Sequence, residues 1–189
     1  IHALGVNTTA SSNSAFGKWA LSSNETGSQN TAGGAYALDA NTTADNCTAF
    51  GFNSLTANTT AGSNTAFGAY TLTSNTTGGD NTALGRGALS DNVTGGFNTA
   101  VGYNSLTSNT ASYNTSVGYD SLKLNTSGSS NVAVGARSLD ANTTGANNTG
   151  VGLDSLGANT TGSRNTAVGR VALENNTTGG DNTAVGKDA

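Results

Sequence analysis

The chain has 189 residues, of which 10% are charged and 6% aromatic, with 27 glycines, no proline and no methionine. A formal net charge of -4, with seven Lys and Arg scattered along the chain, provides no basic stripe for nucleic acid or for an anionic membrane surface. No apolar run approaches the roughly 20 residues needed to span a bilayer, and a single cysteine, Cys47, excludes an intramolecular disulfide scaffold.

Abundant Gly, Asn, Thr and Ser at low charge would fit a disordered linker, but the apolar residues recur at fixed positions. Gly17, Gly34, Gly51, Gly68, Gly85, Gly102, Gly118, Gly135, Gly152, Gly169 and Gly186 are spaced by 17 residues, with one interval of 16. With the Asn four residues before each glycine as position 1, the unit reads Asn-Thr-Ala-(Val/Phe/Leu)-Gly-x-x-(Ser/Ala)-Leu-x-x-Asn-Thr-Thr-Gly-x-x. The chain reads as one repeat array over 1–189. Residues 1–12 form a shortened, irregular first coil, 13–181 form ten repeats, and 182–189 form a partial last one. The coil at 98–113 lacks one residue, a candidate kink or subunit boundary. Because the chain opens and closes inside a repeat and lacks an initiator methionine, it is read as a processed product or as the ordered part of something longer.

Each repeat begins with an Asn row, Asn64, Asn81, Asn98, Asn114, Asn131, Asn148, Asn165 and Asn182, in which Cys47 stands as an exception. A strand-like Thr-Ala-Val piece follows. Its position-4 residues, Phe16, Phe50, Phe67, Leu84 and then valines, are expected to point into the coil, leaving the alanines of position 3 on the opposite face. After the glycine comes the row taken as structural core: Leu21, Leu38, Leu55, Leu72, Leu89, Leu106, Leu122, Leu139, Leu156 and Leu173. The repeat closes on Asn-Thr-Thr-Gly turn chemistry.

Gly, Asn and Thr are weak in helix interiors, so a helical hairpin repeat is excluded. One coil cannot bury its own apolar face, whereas stacked coils can pair every strand donor and acceptor with the coils above and below. The predicted fold is therefore all-β, a parallel β-solenoid (β-helix or β-roll) of about eleven 17-residue coils. Stacking would align Asp120, Arg137 and Asp154 at position 7, Lys123 and Asp140 at position 10, and Arg164 and Asp181 at position 17; it also sets Arg170 beside Lys187. Two large apolar side chains per coil are few against the cost of ordering its backbone. Lateral association through the alanine row, as a trimer in the first instance, is the expected remedy.

Nine position-12 asparagines, Asn24, Asn41, Asn58, Asn75, Asn92, Asn125, Asn142, Asn159 and Asn176, begin Asn-x-Ser/Thr and are candidate glycan attachment sites. The alternative is that the motif serves only as a turn. Further acceptor patterns start at Asn7, Asn46, Asn114, Asn147 and Asn175. Threonine rows at positions 2, 13 and 14 raise an ice-binding alternative, and Trp19, Tyr103 and Tyr119 a sugar-binding one. For catalysis the inventory is one histidine, His2, one Cys47 and scattered carboxylates, from which no nucleophile, base and orienting group can be assembled. The chain is read as a non-enzyme with neither cofactor nor metal site.

The strings Asn64-Thr-Ala-Phe-Gly68, Asn98-Thr-Ala-Val-Gly102 and Asn165-Thr-Ala-Val-Gly169 resemble the repetitive shafts of bacteriophage tail-fibre-like proteins. They are also similar to head repeats of trimeric autotransporter adhesins, where a small-residue, Ala, aliphatic, Gly unit builds a left-handed parallel β-roll. The resemblance covers essentially the whole chain. It implies an extracellular fibre on a cell or virion surface, with copies of the chain itself as partners. A receptor-binding fibre or carbohydrate-binding adhesin is the alternative.

Overall fold

A computed structural model describes residues 2–189; Ile1, the first residue of the opening coil, lies outside the described residues. Eleven three-residue strands form one sheet in chain order. They are β1 (Ser14–Phe16), β2 (Thr31–Gly33), β3 (Thr48–Phe50), β4 (Thr65–Phe67), β5 (Thr82–Leu84), β6 (Thr99–Val101), β7 (Thr115–Val117), β8 (Val132–Val134), β9 (Thr149–Val151), β10 (Thr166–Val168) and β11 (Thr183–Val185). All neighbours pair in parallel with like positions opposite, as in Thr48↔Thr65, Ala49↔Ala66 and Phe50↔Phe67. The chain is thus a β-solenoid whose identical residues stack in columns.

The backbone outside the strands is paired just as systematically. Leu38 N donates to Ser54 O of the next coil at 3.0 Å, while Tyr36 N donates to Lys18 O of the previous coil at 2.9 Å. Such bonds run the length of the rod, so the turns are as much a ladder as the strands are.

The interior differs from the sequence reading in one important respect. The alanines of position 3 are buried, Ala32, Ala49, Ala66, Ala83, Ala100, Ala133 and Ala167 all at 0% exposure, whereas position 4 faces outward, with Phe67 at 41% and Leu84 at 49%. Strand alternation therefore has the opposite phase to the one expected. The reason is volume: the coil already holds one leucine column and two asparagine columns, and only a small side chain, alanine, glycine or the serine of Ser116, fits between them. The leucine column is the apolar core as expected, with Leu21 through Leu156 fully buried and Leu173 partly so.

The first coil is also not irregular. Leu4 N donates to Ala20 O at 3.1 Å, as Leu21 N does to Ala37 O at 3.0 Å, and Asn24 Nδ2 donates to Asn7 Oδ1 at 3.0 Å. Leu4 and Asn7 thus occupy positions 9 and 12, and Gly5 stands at position 10 and not in the glycine row. The missing residue of coil 98–113 is absorbed in the turn. Asn98 Nδ2 and Asn109 Nδ2 both reach Ala111 O, at 2.9 and 2.7 Å, so Ala111 takes position 15 and position 14 is skipped. Strand register is unbroken there, with Thr99 opposite Thr115, so the deletion makes neither a kink nor a boundary.

Tight corners come from residues in the left-handed region. All eleven leucines of position 9, from Leu4 to Leu173, have φ between 48° and 53°, and positions 7 and 17 are left-handed as well, as in Tyr36 (61°) and Asn46 (61°). This conformation costs a non-glycine residue about 1 to 2 kcal/mol, which the burial of leucine and the ladders must offset. The glycine of position 5 is demanded twice. Its φ is near +133°, and a Cβ on Gly17 through Gly169 would lie 2.2 to 2.7 Å from the carbonyl of the next glycine in the row.

Candidate functional surface

Two amide columns run through the interior. In the position-12 column each Nδ2 from Asn24 onward donates to the Oδ1 of the coil before and, except at Asn109, to the carbonyl three residues on: Asn142 reaches Asn125 Oδ1 at 2.7 Å and Gly145 O at 3.0 Å. In the position-1 column each Oδ1 accepts from the next coil's backbone, as Asn64 Oδ1 does from Asn81 N at 3.0 Å. The two columns converge on shared acceptors; Gly78 O receives Asn64 Nδ2 and Asn75 Nδ2, both at 2.9 Å. Cys47 interrupts the position-1 column. Its amide still donates to Asn30 Oδ1 at 2.9 Å, but the thiol offers no amide oxygen to Asn64. Burial pushes that thiol up to about 11.

These columns overturn the glycan assignment. Asn24, Asn41, Asn58, Asn75, Asn92, Asn125, Asn142 and Asn159 are fully buried. Asn176, in the last turn, is half-buried with Nδ2 bonded to Asn159 Oδ1 and Gly179 O, both at 3.0 Å. The nitrogen that would carry sugar gives both its hydrogens to the interior, so the folded coil cannot bear a glycan there. The acceptor patterns that reach the surface are those at Asn7, Asn46, Asn147 and Asn175, while Asn114 is buried. The position-13 threonines are likewise structural. Thr126 and Thr143 Oγ1 donate to the carbonyls of Thr143 and Thr160 in the next coil, both at 3.0 Å.

What the solenoid presents to solvent is a sheet face and a corner beside it. The sheet face carries position 2, mostly threonine, and position 4, the Phe/Leu/Val row. Phe50 and Phe67 stack at 4.9 Å between centroids, and the Phe50 ring fills the space over Gly33, where a Cβ would lie 2.4 Å from it. That accounts for the one glycine in the row.

The corner, positions 6 and 7, begins as an aromatic ladder. His2 meets Trp19 edge-on at 6.2 Å, and Phe52 sits edge-on between Tyr36 at 6.0 Å and Tyr70 at 5.4 Å. Arg86 lies between Tyr70 and Tyr103, 5.8 and 5.5 Å from their centroids, and Tyr103 stacks on Tyr119 at 5.7 Å. The stacked tyrosines turn their faces toward each other along the rod axis and not outward, the wrong orientation for a sugar platform.

Beyond Tyr119 the corner becomes ionic. Arg137 grips Asp154 through Nε and Nη2, each at 2.7 Å, and holds its carboxyl below the usual range. Arg164 does the same to Asp181 at position 17, at 2.6 and 2.8 Å. The expected Lys123–Asp140 contact is not made. Lys123 turns back to Asp120 of its own coil at 3.1 Å, which also leaves Arg137 free for Asp154. Asp140, without a cation in contact, has its carboxyl raised by burial. Arg170 avoids Lys187 by reaching Asp188 at 3.4 Å.

The candidate catalytic groups are not brought together: His2 packs on the exposed Trp19 while Cys47 sits in the interior. Among the described residues no three His, Cys, Asp or Glu side chains converge, and no helix is long and apolar enough to cross a membrane. Comparison with protein-family models, curated proteins and solved structures finds no match.

Proposed function

We propose that the chain is a structural shaft segment of an extracellular fibre, on a cell or virion surface, that works by shape and by association with copies of itself. The observation that carries this reading is the uniformity of the rod: eleven strands in unbroken register over an interior that repeats the same leucine and asparagine columns. A rod of this kind, roughly 48 Å long over ten strand spacings, is a spacer by construction. The resemblance of its Asn-Thr-Ala-Val-Gly strings to fibre shafts points the same way.

Self-association is part of the proposal because an exposed Phe/Leu/Val row runs along an outward face that carries no charge, a patch of the kind that marks interaction surfaces. The contact runs through the Phe/Val row; the buried alanines cannot take part. Electron microscopy and fibre diffraction of the purified chain and of its native assembly test the reading. Straight rods with a repeat of about 4.8 Å along the axis are expected. Compact particles without axial order would overturn it.

A further inference from the structure

Resting on that reading, we infer that the sheet face is the contact surface for a second copy of this chain, and that the two rods pair antiparallel. Three observations lead to this. The first is charge. None of the seven Lys and Arg or eleven Asp and Glu lies at position 2 or 4, so eleven consecutive strands present an outward face without a single charge. Positions 6, 7, 10 and 17 of the same coils carry most of the charged residues.

The second is area. A face about 48 Å long and about 12 Å wide, two outward side chains across, offers roughly 600 Å² per partner, or about 1,200 Å² for a pair. That is the lower bound of the size at which specific complexes are stable.

The third is symmetry and size. When two such faces meet about a twofold axis along the rods, the rods run parallel and each Phe/Val row lands on the partner's threonine row. When the twofold axis lies across the rods they run antiparallel, and apolar row meets apolar row while threonine row meets threonine row. The apolar row is also graded. Phe50 and Phe67 lie toward one end, and every residue of the row from Val101 onward is valine. Antiparallel pairing centred on the sixth strand sets Phe50 against Val151, Phe67 against Val134, and Val101 against itself. Apart from Gly33, whose place the Phe50 ring fills, large faces small on both sides of the centre, and the gap between the rods stays nearly constant. Parallel pairing would set phenylalanine against threonine at one end and valine against threonine at the other, so the gap between the rods would taper.

Sedimentation equilibrium and disulfide cross-linking of the full chain decide the matter. The native chain is expected to sediment at twice its 18.5 kDa. Val101→Lys, which places two like charges on the dyad, should weaken pairing at least 100-fold without altering the strand signal in circular dichroism. Ser130→Lys, a charge placed off the face, should leave pairing intact. On oxidation, Thr31→Cys mixed with Thr166→Cys should give a covalent dimer, and Thr31→Cys alone should not; native Cys47 is buried and does not compete. A chain that stays monomeric at 100-fold dilution steps from high concentration, or efficient self-linking of Thr31→Cys, would overturn the inference. Single, unpaired rods that still build fibres would overturn it while leaving the shaft reading intact. Paired rods that never extend into fibres would sink the shaft reading and leave this pairing standing.

Discussion

The part of the rod up to Tyr119 and the part from Arg137 onward share one interior and wear different surfaces. Inside, both have the same buried leucines, the same two amide columns and the same glycine at φ near +133°. Outside, the first part lines its corner with edge-on and stacked rings broken by Arg86, and the second with Arg–Asp pairs. The row on the sheet face changes from Phe and Leu to Val at nearly the same place. The fold is therefore set by the columns that do not change, and the surface is left free to answer to something other than folding, which the size-graded row suggests is a partner.

If the interiors are equivalent, the same interior change must cost the same in either part. Gly51→Ala and Gly152→Ala, each driving a Cβ to 2.4 Å from the next coil's carbonyl, should both cost more than about 4 kcal/mol. In guanidinium denaturation followed by circular dichroism either variant should unfold well before the parent. Leu55→Ala and Leu156→Ala should each cost about 3 kcal/mol and agree within about 0.5 kcal/mol. A gap of more than about 1 kcal/mol between the two leucines would show that the surface reaches into the core after all.

The ladders were legible because stacking converts a 17-residue spacing into columns, and columns of Leu and Asn have one sensible location. The phase of the strand was not. Ala and Val alternate across the sheet, and the larger residue is ordinarily the inner one; only the space taken by Asn Nδ2 and Leu side chains reverses that order here. The left-handed leucines could not have been found from composition, since nothing about a leucine announces φ near 50°. The Asn-x-Thr row keeps two meanings in the sequence, sugar acceptor and turn, because both share the same letters. The spacing that would have separated them is that of position 12 to the carbonyl of position 15, three residues on in the same coil.

Each part of the rod also carries one local defect, and repairing the two should give gains of similar size. In the first, Cys47 breaks the position-1 column, and Cys47→Asn should restore the acceptor for the Asn64 amide and stabilise the chain by about 1 kcal/mol. In the second, Val171 is a β-branched residue held at φ 52°. Val171→Asn should relieve about 1 kcal/mol of that strain. Thermal denaturation of both single variants and of the double variant checks this. Because the sites lie far apart, their gains should add.

The smallest effect concerns the ionic corner, and it has a direction in pH. Arg137 and Arg164 hold the carboxyls of Asp154 and Asp181 below their ordinary range. What these pairs contribute is therefore present above the unfolded carboxylate pKa of about 4 and is lost as pH falls through the depressed folded values. Asp140, raised by burial, acts with the opposite sign: its contribution is full below its unfolded pKa and fades as pH rises through its folded value. Exposed pairs are worth little, so acid should not unfold the rod but should loosen one part of it first. Amide exchange at acid pH, compared with near-neutral pH after correction for intrinsic rates, should show protection falling in the coils after Arg137. The aromatic corner, which is held by ring contacts and not by Arg–Asp pairs, should hold. Arg137→Ala should remove part of the difference. Equal loss along the whole rod would mean that the ionic surface contributes nothing the aromatic one does not.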